Sequence, residues 1–486
     1  RLADGGRIVL APGDYDLTQE SVATTDCGIG FTLTGPDDRS ANLRGDLKVR
    51  KGQVWASVTY IAESQLSILP NGVVSNMTIR GGAKPVQFQG RMLGCLLTGM
   101  TGPTAILAMH EQGVQYELRD TVITNCRFSA DCIAQPGRAE YARGPIVLGD
   151  YDACSDHDIG KKKIALSLVG CSVIDNVTET PASLPPGYTL FLIGGVFTTT
   201  VPYNGSVVAA SRCRFVNNVG RSGVARLDGY QMNTTLHATN CLFVANRSSE
   251  DGQPLIWGWA NLVNCTFSSN EVNGTGIVLA KGALMGEDKT CRIKNCVFSG
   301  NSTLAWAGQG GAIYLNSAAA LVTHCVFTGN CSANTDVNNG GNAIGMESGN
   351  VRNCLFVGNG DRSRSPGKCG TVYMTGGTIE NCTFANNEDG KCAGVSVNSA
   401  NATVRNCVFY GANCPNAASE LGKIMNDTTK AARFSNCCAP VEINSTCIVA
   451  AEPFVDAAHG DYRLQRGSPL IDAGGSRQDW MGNGRK

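Results

Sequence analysis

The amino-acid sequence predicts an all-β chain wound as a single-stranded right-handed parallel β-helix, a solenoid with stacked Asn, Cys and Phe ladders. Three observations carry this. One heptapeptide recurs through most of the chain, the residues around it alternate apolar and polar with period two, and no amphipathic segment is long enough for a packed helix.

Size and composition narrow the choice first. A chain of 486 residues exceeds the roughly 250–300 at which single compact cores stop growing, so it must form several domains or a repeat array. Hydrophobic residues at 42%, charged residues at 16% and 59 Gly against 17 Pro exclude a disordered or collagen-like chain. The 40 Lys+Arg balance the 40 Asp+Glu, which removes the basic footprint of a nucleic-acid binder. No run of about 18 apolar residues occurs, so no membrane-spanning segment is expected. The opening at Arg1, without a charged-then-apolar leader, reads as a mature or trimmed chain. The 22 cysteines and the scattered histidines show no zinc spacing, and no cofactor is expected.

The repeat appears as RCRFVNN from Arg212, NCLFVAN from Asn240, NCTFSSN from Asn264, NCVFSGN from Asn295, HCVFTGN from His324, NCLFVGN from Asn353 and NCTFANN from Asn381, continued by NCVFYGAN from Asn406. The shortest step is the 24 residues from Cys241 to Cys265, the longest the 31 from Cys265 to Cys296. Looser copies read GCLLTGM at Cys95, NCRFSAD at Cys126 and GCSVIDN at Cys171, and NMTIRGG puts Met77 in the cysteine position. A second apolar run follows in each unit: AIYL from Ala312, AIGM from Ala343, TVYM from Thr371 and GVSV from Gly394. Two or three short strands per unit, punctuated by Gly and Asn and joined without helices, require a parallel β-helix.

Stacking gives the recurring residues a physical reason. Coils about 4.8 Å apart place like residues over one another, so the Asn before each cysteine is expected to form an amide ladder and the Phe of FxxN to stack inside. Cysteine fills the narrow inner corner as a small hydrophobe. In-register strands hold neighbouring Cβ atoms near 4.8 Å, beyond the roughly 3.5–4.5 Å of a disulfide, so the ladder cysteines are expected to be free thiols. Outside the ladder, Cys369 with Cys392, or Cys132 with Cys154, are candidate disulfides.

Three segments follow. Residues 1–75 are expected to cap the array and form the first coils, 76–411 to be the repeat array, and 412–486 to be the last coils and a closing segment. An inserted loop at 135–164 interrupts the period.

At these residues the sequence resembles bacterial surface β-helices, in particular polymorphic outer-membrane-protein repeats with GGA[ILV] and FxxN motifs. GGAI at Gly310–Ile313 is a full match, and FxxN recurs at Phe215, Phe243, Phe267, Phe298, Phe327, Phe356 and Phe384. The opening GGRIVLAPGDYDL (Gly5–Leu17) is similar to the start of pectate-lyase-like β-helices, and DYRLQRGSPLIDAG (Asp461–Gly474) to the closing segment of secreted bacterial ones. The resemblance implies a secreted or cell-surface bacterial protein. Adhesins, passenger domains, wall components and polysaccharide lyases all use this fold, so it does not choose among them.

Two regions carry candidate sites. Aligning the second apolar run of each unit gives an outward column of Arg226, Trp257, Leu279, Tyr314, Gly345, Tyr373 and Ser396, and two residues on, a column of Asp228, Trp259, Lys281, Asn316, Glu347, Thr375 and Asn398. Aromatics beside amides and charges make a groove for a sugar chain, with Trp257, Trp259, Tyr314, Tyr373, Asp228 and Glu347 as ligand-binding residues exposed to solvent. If the face is catalytic, Arg226, Lys281 and Tyr314 are the groups suited to stabilise an enolate and move a proton α to a uronate. The other region, around Asp150, Asp152, Asp156 and Asp158, has the alternating acids that gather calcium but lacks the glycine and distal glutamate of an EF-hand loop. The expected function is an extracellular, non-catalytic, adhesin-like or structural β-helix whose partners are a surface glycan or protein, or further copies of itself. The alternative is a secreted polysaccharide lyase or glycoside hydrolase.

Overall fold

A computed structural model describes residues 4–17, 30–102, 104–108, 114–128, 144–148, 164–179, 196–199, 206–220, 224–226, 235–248, 254–274, 276–281, 291–304, 310–332, 340–360, 370–389, 392–414, 417 and 419–473. They form a right-handed parallel β-helix in two compact units, one of residues 1–250 with 255–259 and one of 251–254 with 260–486. No described helix is long and apolar enough to cross a membrane.

One coil of the second unit shows how the sequence makes the turn. Strand I is Arg292–Lys294, strand II is Val297–Ser299, a two-residue strand follows at Ser302–Thr303, and strand III is Ile313–Asn316. Between strands I and II, Asn295 alone takes a left-handed conformation (φ 53°), and between strand II and the short strand Gly300 does so (φ 60°). Gly and Asn enter that region at least steric cost, which is why they occupy positions one and six of the heptapeptide. The residues between then alternate: Cys296 and Phe298 point inward and are buried, whereas Val297 and Ser299 face outward.

Each strand pairs in parallel with its counterpart one repeat on. In the first unit the strand II series runs from Gly13–Asp16 to Leu242–Val244, and in the second from Thr266–Ser268 to Ile448–Val449. The closing segment adds a short helix, Glu420–Ile424, capped by Ser419, and an antiparallel hairpin of Phe454–Asp456 with Asp461–Leu464. Part of the stretch 135–164 is coil rather than inserted loop: Gly144–Leu148 is a buried strand III paired with Thr104–Ala108 and Phe197–Thr199. Its residues GPIVL lack the cysteine heptapeptide, which marks only strand II.

The three ladders form inside each unit. In the second, Phe267, Phe298, Phe327, Phe356, Phe384 and Phe409 stack with centroids 4.6–5.1 Å apart and planes within 16°. Phe215 and Phe243 stack in the first, with centroids 4.9 Å apart and planes 19° apart. The continuous asparagine ladder lies at the last position of FxxN, not at the Asn before the cysteine. Asn330 Nδ2 donates to Asn359 Oδ1 and to the Phe298 carbonyl, both at 2.9 Å, while its own Oδ1 accepts from the backbone N–H and Nδ2 of Asn301. Asn270, Asn301 and Asn359 repeat the link to the next coil in the second unit, and Asn176 and Asn218 in the first. The Asn before the cysteine is instead the left-handed corner, open to solvent, with occasional rungs such as Asn406 Nδ2 to Asn381 Oδ1 at 3.0 Å.

The ladder cysteines are free thiols, as expected. Each donates back to the carbonyl two residues before it, for example Cys325 to Thr323 at 3.3 Å and Cys354 to Arg352 at 3.1 Å, so the thiol braces the corner as well as filling it. This locates a register error at Cys126. The rung between Cys95 and Cys171 is Thr121, whose hydroxyl makes the same bond to the Arg119 carbonyl at 3.0 Å. Asp120 is the left-handed corner there, and Cys126 sits in the FxxN asparagine column, its N–H donating to Asn176 Oδ1. Burial pushes the thiols of Cys95, Cys126 and Cys291 up to about 11. Of the candidate disulfides, Cys132, Cys154 and Cys369 lie outside the described residues, and Cys392 is buried, its thiol in no disulfide and donating to the Ile424 carbonyl.

Candidate functional site

Trp259 apart, the described residues of the strand III columns are in the expected register. Arg226 pairs with Trp257 in the first unit, and Leu279, Tyr314, Gly345, Tyr373 and Ser396 succeed one another in the second. Lys281 pairs with Asn316 in the column two residues on. The Tyr314 hydroxyl donates to the Glu347 carboxylate, and Asn398 Nδ2 donates to the Tyr373 hydroxyl at 3.1 Å, so the two columns cross-link between coils. Asp228, Asp150, Asp152, Asp156 and Asp158 lie outside the described residues. Among the described residues no group of three or more His, Cys, Asp or Glu side chains could hold a metal ion.

Exposure corrects the sequence reading. Tyr314 is 7% exposed, Tyr373 9% and Trp259 5%, while Trp257 is half-buried. The strand III residues Ile313 to Leu315, Ile344 to Met346, Val372 to Met374 and Val395 to Val397 are all buried, so this sheet is covered on both faces and is no open aromatic groove. Trp259 also leaves its assigned column. Gly258, at φ 125°, ends strand Ile256–Trp257, and Trp259 begins the next strand I, Trp259–Val263.

The outer face of strand I carries charge. Glu380 is buried between Arg352 and Arg405, with nitrogen–oxygen distances of 3.4 and 3.0 Å, and all three are register partners on successive coils. In the first unit Glu117 sits beside Arg119 and Arg91, and the Arg119 hydrogen bond holds its carboxyl below the usual range. In the second set a glutamate stands between arginines on successive coils, and in the first Arg91 faces Glu117 across coils while Arg119 binds it along its own strand, so opposite charges face each other in both.

A cleft of about 280 Å³ in the second unit combines aromatic, apolar and amide groups on an accessible face. Its floor is the outer face of strand II, with Thr383, Val408 and Ile448, and one rim is the column of corner amides Asn381, Asn406 and Asn436. The opposite wall is the closing segment, with Phe454, Tyr462, Leu464, Leu470 and Ala473. Edge-to-face contacts of Phe454 with Tyr410 and Tyr462, at 5.6 and 5.5 Å, fasten this wall to the coil. Asn386 Nδ2 donates to the Tyr462 hydroxyl at 3.2 Å, and the Tyr410 hydroxyl donates to Glu452 at 3.2 Å. Burial and the Glu452 carboxylate raise the Tyr410 phenol above its ordinary range. Sequence reasoning missed this cleft because the closing segment forms its own antiparallel hairpin and lays side chains on coils 42 to 76 residues earlier. The signals were DYRL and the aromatic Phe454, which follow the last repeat but obey none of its spacing.

A family model described as a right handed beta helix region matches residues 256–449. Among curated proteins none matches the chain in sequence. Solved structures with a similar course include a PL6 alginate lyase in complex with a trisaccharide, at 10% identity and TM-score 0.32, covering 79% of this chain and 80% of that one. A tailspike protein double mutant of E. coli bacteriophage HK620 is similar at 12% identity and TM-score 0.36, covering 88% and 73%. The catalytic unit of a GH87 alpha-1,3-glucanase from Streptomyces thermodiastaticus is similar at 13% identity and TM-score 0.24, covering 92% and 62%.

Proposed function

We propose that the chain is a non-catalytic, glycan-binding β-helix of the cell surface or secreted space, and that its binding site is the cleft between strand II and the closing hairpin. One observation carries the reading: a column of amides, repeated once per coil at Asn381, Asn406 and Asn436, faces an aromatic and aliphatic wall across an accessible cleft. A sugar presents hydroxyls along its edge and an apolar face, and those two surfaces match an amide column opposed to Tyr462 and Leu464. The volume, about 280 Å³, lies just below the roughly 300–1,000 Å³ of drug-sized ligand sites, which suits one ring of a longer chain. The enzymatic alternative has less support, because Tyr314 is covered and its hydroxyl is already committed to Glu347. A glycan array probed with the wild type and with Tyr462→Ala tests the reading. Binding to a subset of glycans that the variant loses supports it; a wild type that binds none of them, or a variant that binds as well, overturns it.

A further inference from the structure

The cysteine ladder of the second unit runs one rung further than the repeat. Ile448 N–H donates to the Cys437 carbonyl at 2.8 Å, as Val408 N–H does to Cys382 and Cys438 N–H to Cys407. Cys438 and Ala439 pair with Ile448 and Val449, so the same register sets Cys447 beside Cys437. Cys447 is therefore the terminal thiol of the column, although no heptapeptide marks it. It is also the one described cysteine that is half-buried; the other described ones are buried.

Position makes this pair chemically unlike every rung before it. An interior cysteine is fixed by strands above and below, at a spacing of about 4.8 Å that keeps its Cβ outside the roughly 3.5–4.5 Å of a disulfide. Strand Ile448–Val449 pairs with Cys438–Ala439 alone among the described residues. Held on one side, Cys447 needs to close only a few tenths of an ångström onto Cys437, and the roughly 4.8 Å between paired strands already lies within the 4.4–6.8 Å Cα range of a disulfide. Solvent reaches Cys447, while Cys437 beneath it is sealed and donates to the Ser435 carbonyl at 3.4 Å.

We propose that Cys447 and Cys437 are a redox latch on the last coil, closed by exchange with a small-molecule disulfide. The Cys447 thiolate, its proton lost to solvent, attacks one sulfur of RSSR, forming a mixed disulfide and releasing RS⁻. Cys437 then attacks the Cys447 sulfur, forming the Cys437–Cys447 bond, breaking the S–SR bond and releasing the second thiol, which takes the Cys437 proton. Two protein thiols are oxidised and one RSSR is reduced to two RSH. The latch ties the strand that floors the cleft, through Ile448, to the coil below it.

The folded full chain is treated with oxidised glutathione, quenched with acid, alkylated and mapped by peptide mass spectrometry. The wild type is expected to yield a Cys437–Cys447 linked peptide, and hydrogen exchange at Ile448 and Val449 to slow at least tenfold on oxidation. Cys437→Ser is expected to stop at glutathione on Cys447, and Cys447→Ser to leave Cys437 unmodified. Serine at 437 keeps the bond to the Ser435 carbonyl, as Thr121 does to Arg119, so Cys437→Ser retains the corner, and Cys447 is the half-buried last rung, where serine replaces it with the least disturbance. The proposal is overturned if wild-type Cys447 retains glutathione without linking to Cys437, if Cys447 stays unmodified, or if interior ladder cysteines react as fast.

Discussion

Removing one side chain from the buried amide ladder measures how much of the coil-to-coil cohesion is polar. Asn330→Ala deletes the acceptor of the Asn301 N–H and Nδ2, at 3.1 and 2.9 Å, and the donor to the Phe298 carbonyl and Asn359 Oδ1. Four groups lose that partner, of which Asn359 Oδ1 keeps the Asn330 N–H, so three buried groups are left short: the Asn301 N–H, one hydrogen of the Asn301 side-chain amide and the Phe298 carbonyl. At about 1–3 kcal/mol for each stranded buried group, the gross loss is about 3–9 kcal/mol, and partial relaxation brings the expected value to about 3–5 kcal/mol. Asn353→Ala is the control. It alters a half-exposed corner held at φ 53°, where the left-handed conformation costs alanine about 1–2 kcal/mol. Repeat arrays can unfold piecewise, so urea unfolding should be paired with hydrogen exchange at the Asn301 amide, whose acceptor is lost directly. An Asn330→Ala variant no less stable than Asn353→Ala would refute the assignment of the ladder to FxxN.

Further outcomes follow from the other contacts. Cys95, Cys126 and Cys291 have native thiols raised from 9.0 to about 11, so their stabilisation is present below pH 9 and is lost as pH rises toward 11. Each contributes a slope of about −1.4 kcal/mol per pH unit in that window, to be read from unfolding midpoints, and Cys95→Ala should make the slope shallower. Thr121→Cys should leave stability within about 0.5 kcal/mol of wild type, while Thr121→Val, which keeps the shape but not the hydroxyl, should lower the urea midpoint by an amount equivalent to about 1 kcal/mol. Glu380→Ala removes the anion between Arg352 and Arg405 and should cost about 1–3 kcal/mol, since both arginines are part-exposed; added salt should recover some of it in thermal melts.

What was legible in the sequence is what repeats. Position-specific needs, a left-handed residue at Asn295, an inward small side chain at Cys296 and an inward ring at Phe298, recur on each coil and so wrote themselves into the heptapeptide. The register of strand III was legible for the same reason. Its burial was misread although the sequence held the signal: AIYL and TVYM run apolar without alternation, as strands covered on both faces do, whereas strand II alternates. The one-rung error at Cys126 has another cause. Thr121 replaces the cysteine with a hydroxyl that makes the same bond, so residue identity changed while the physical role did not. The cleft wall could not be read from periodicity at all, because Phe454 and Tyr462 reach their partners by an antiparallel return.

On the function proposed above, the cleft beside the amide column holds a sugar and leaves it intact. Calorimetric titration of the folded chain with neutral and uronic-acid oligosaccharides, followed by chromatography of the recovered ligand, tests both halves together. Thr383→Trp serves as the blocked control, because Thr383 faces outward from strand II into the cleft. Saturable binding that Thr383→Trp abolishes is expected, with every oligosaccharide recovered at its original length. Shortened or unsaturated products, or binding that survives Thr383→Trp unchanged, would contradict it.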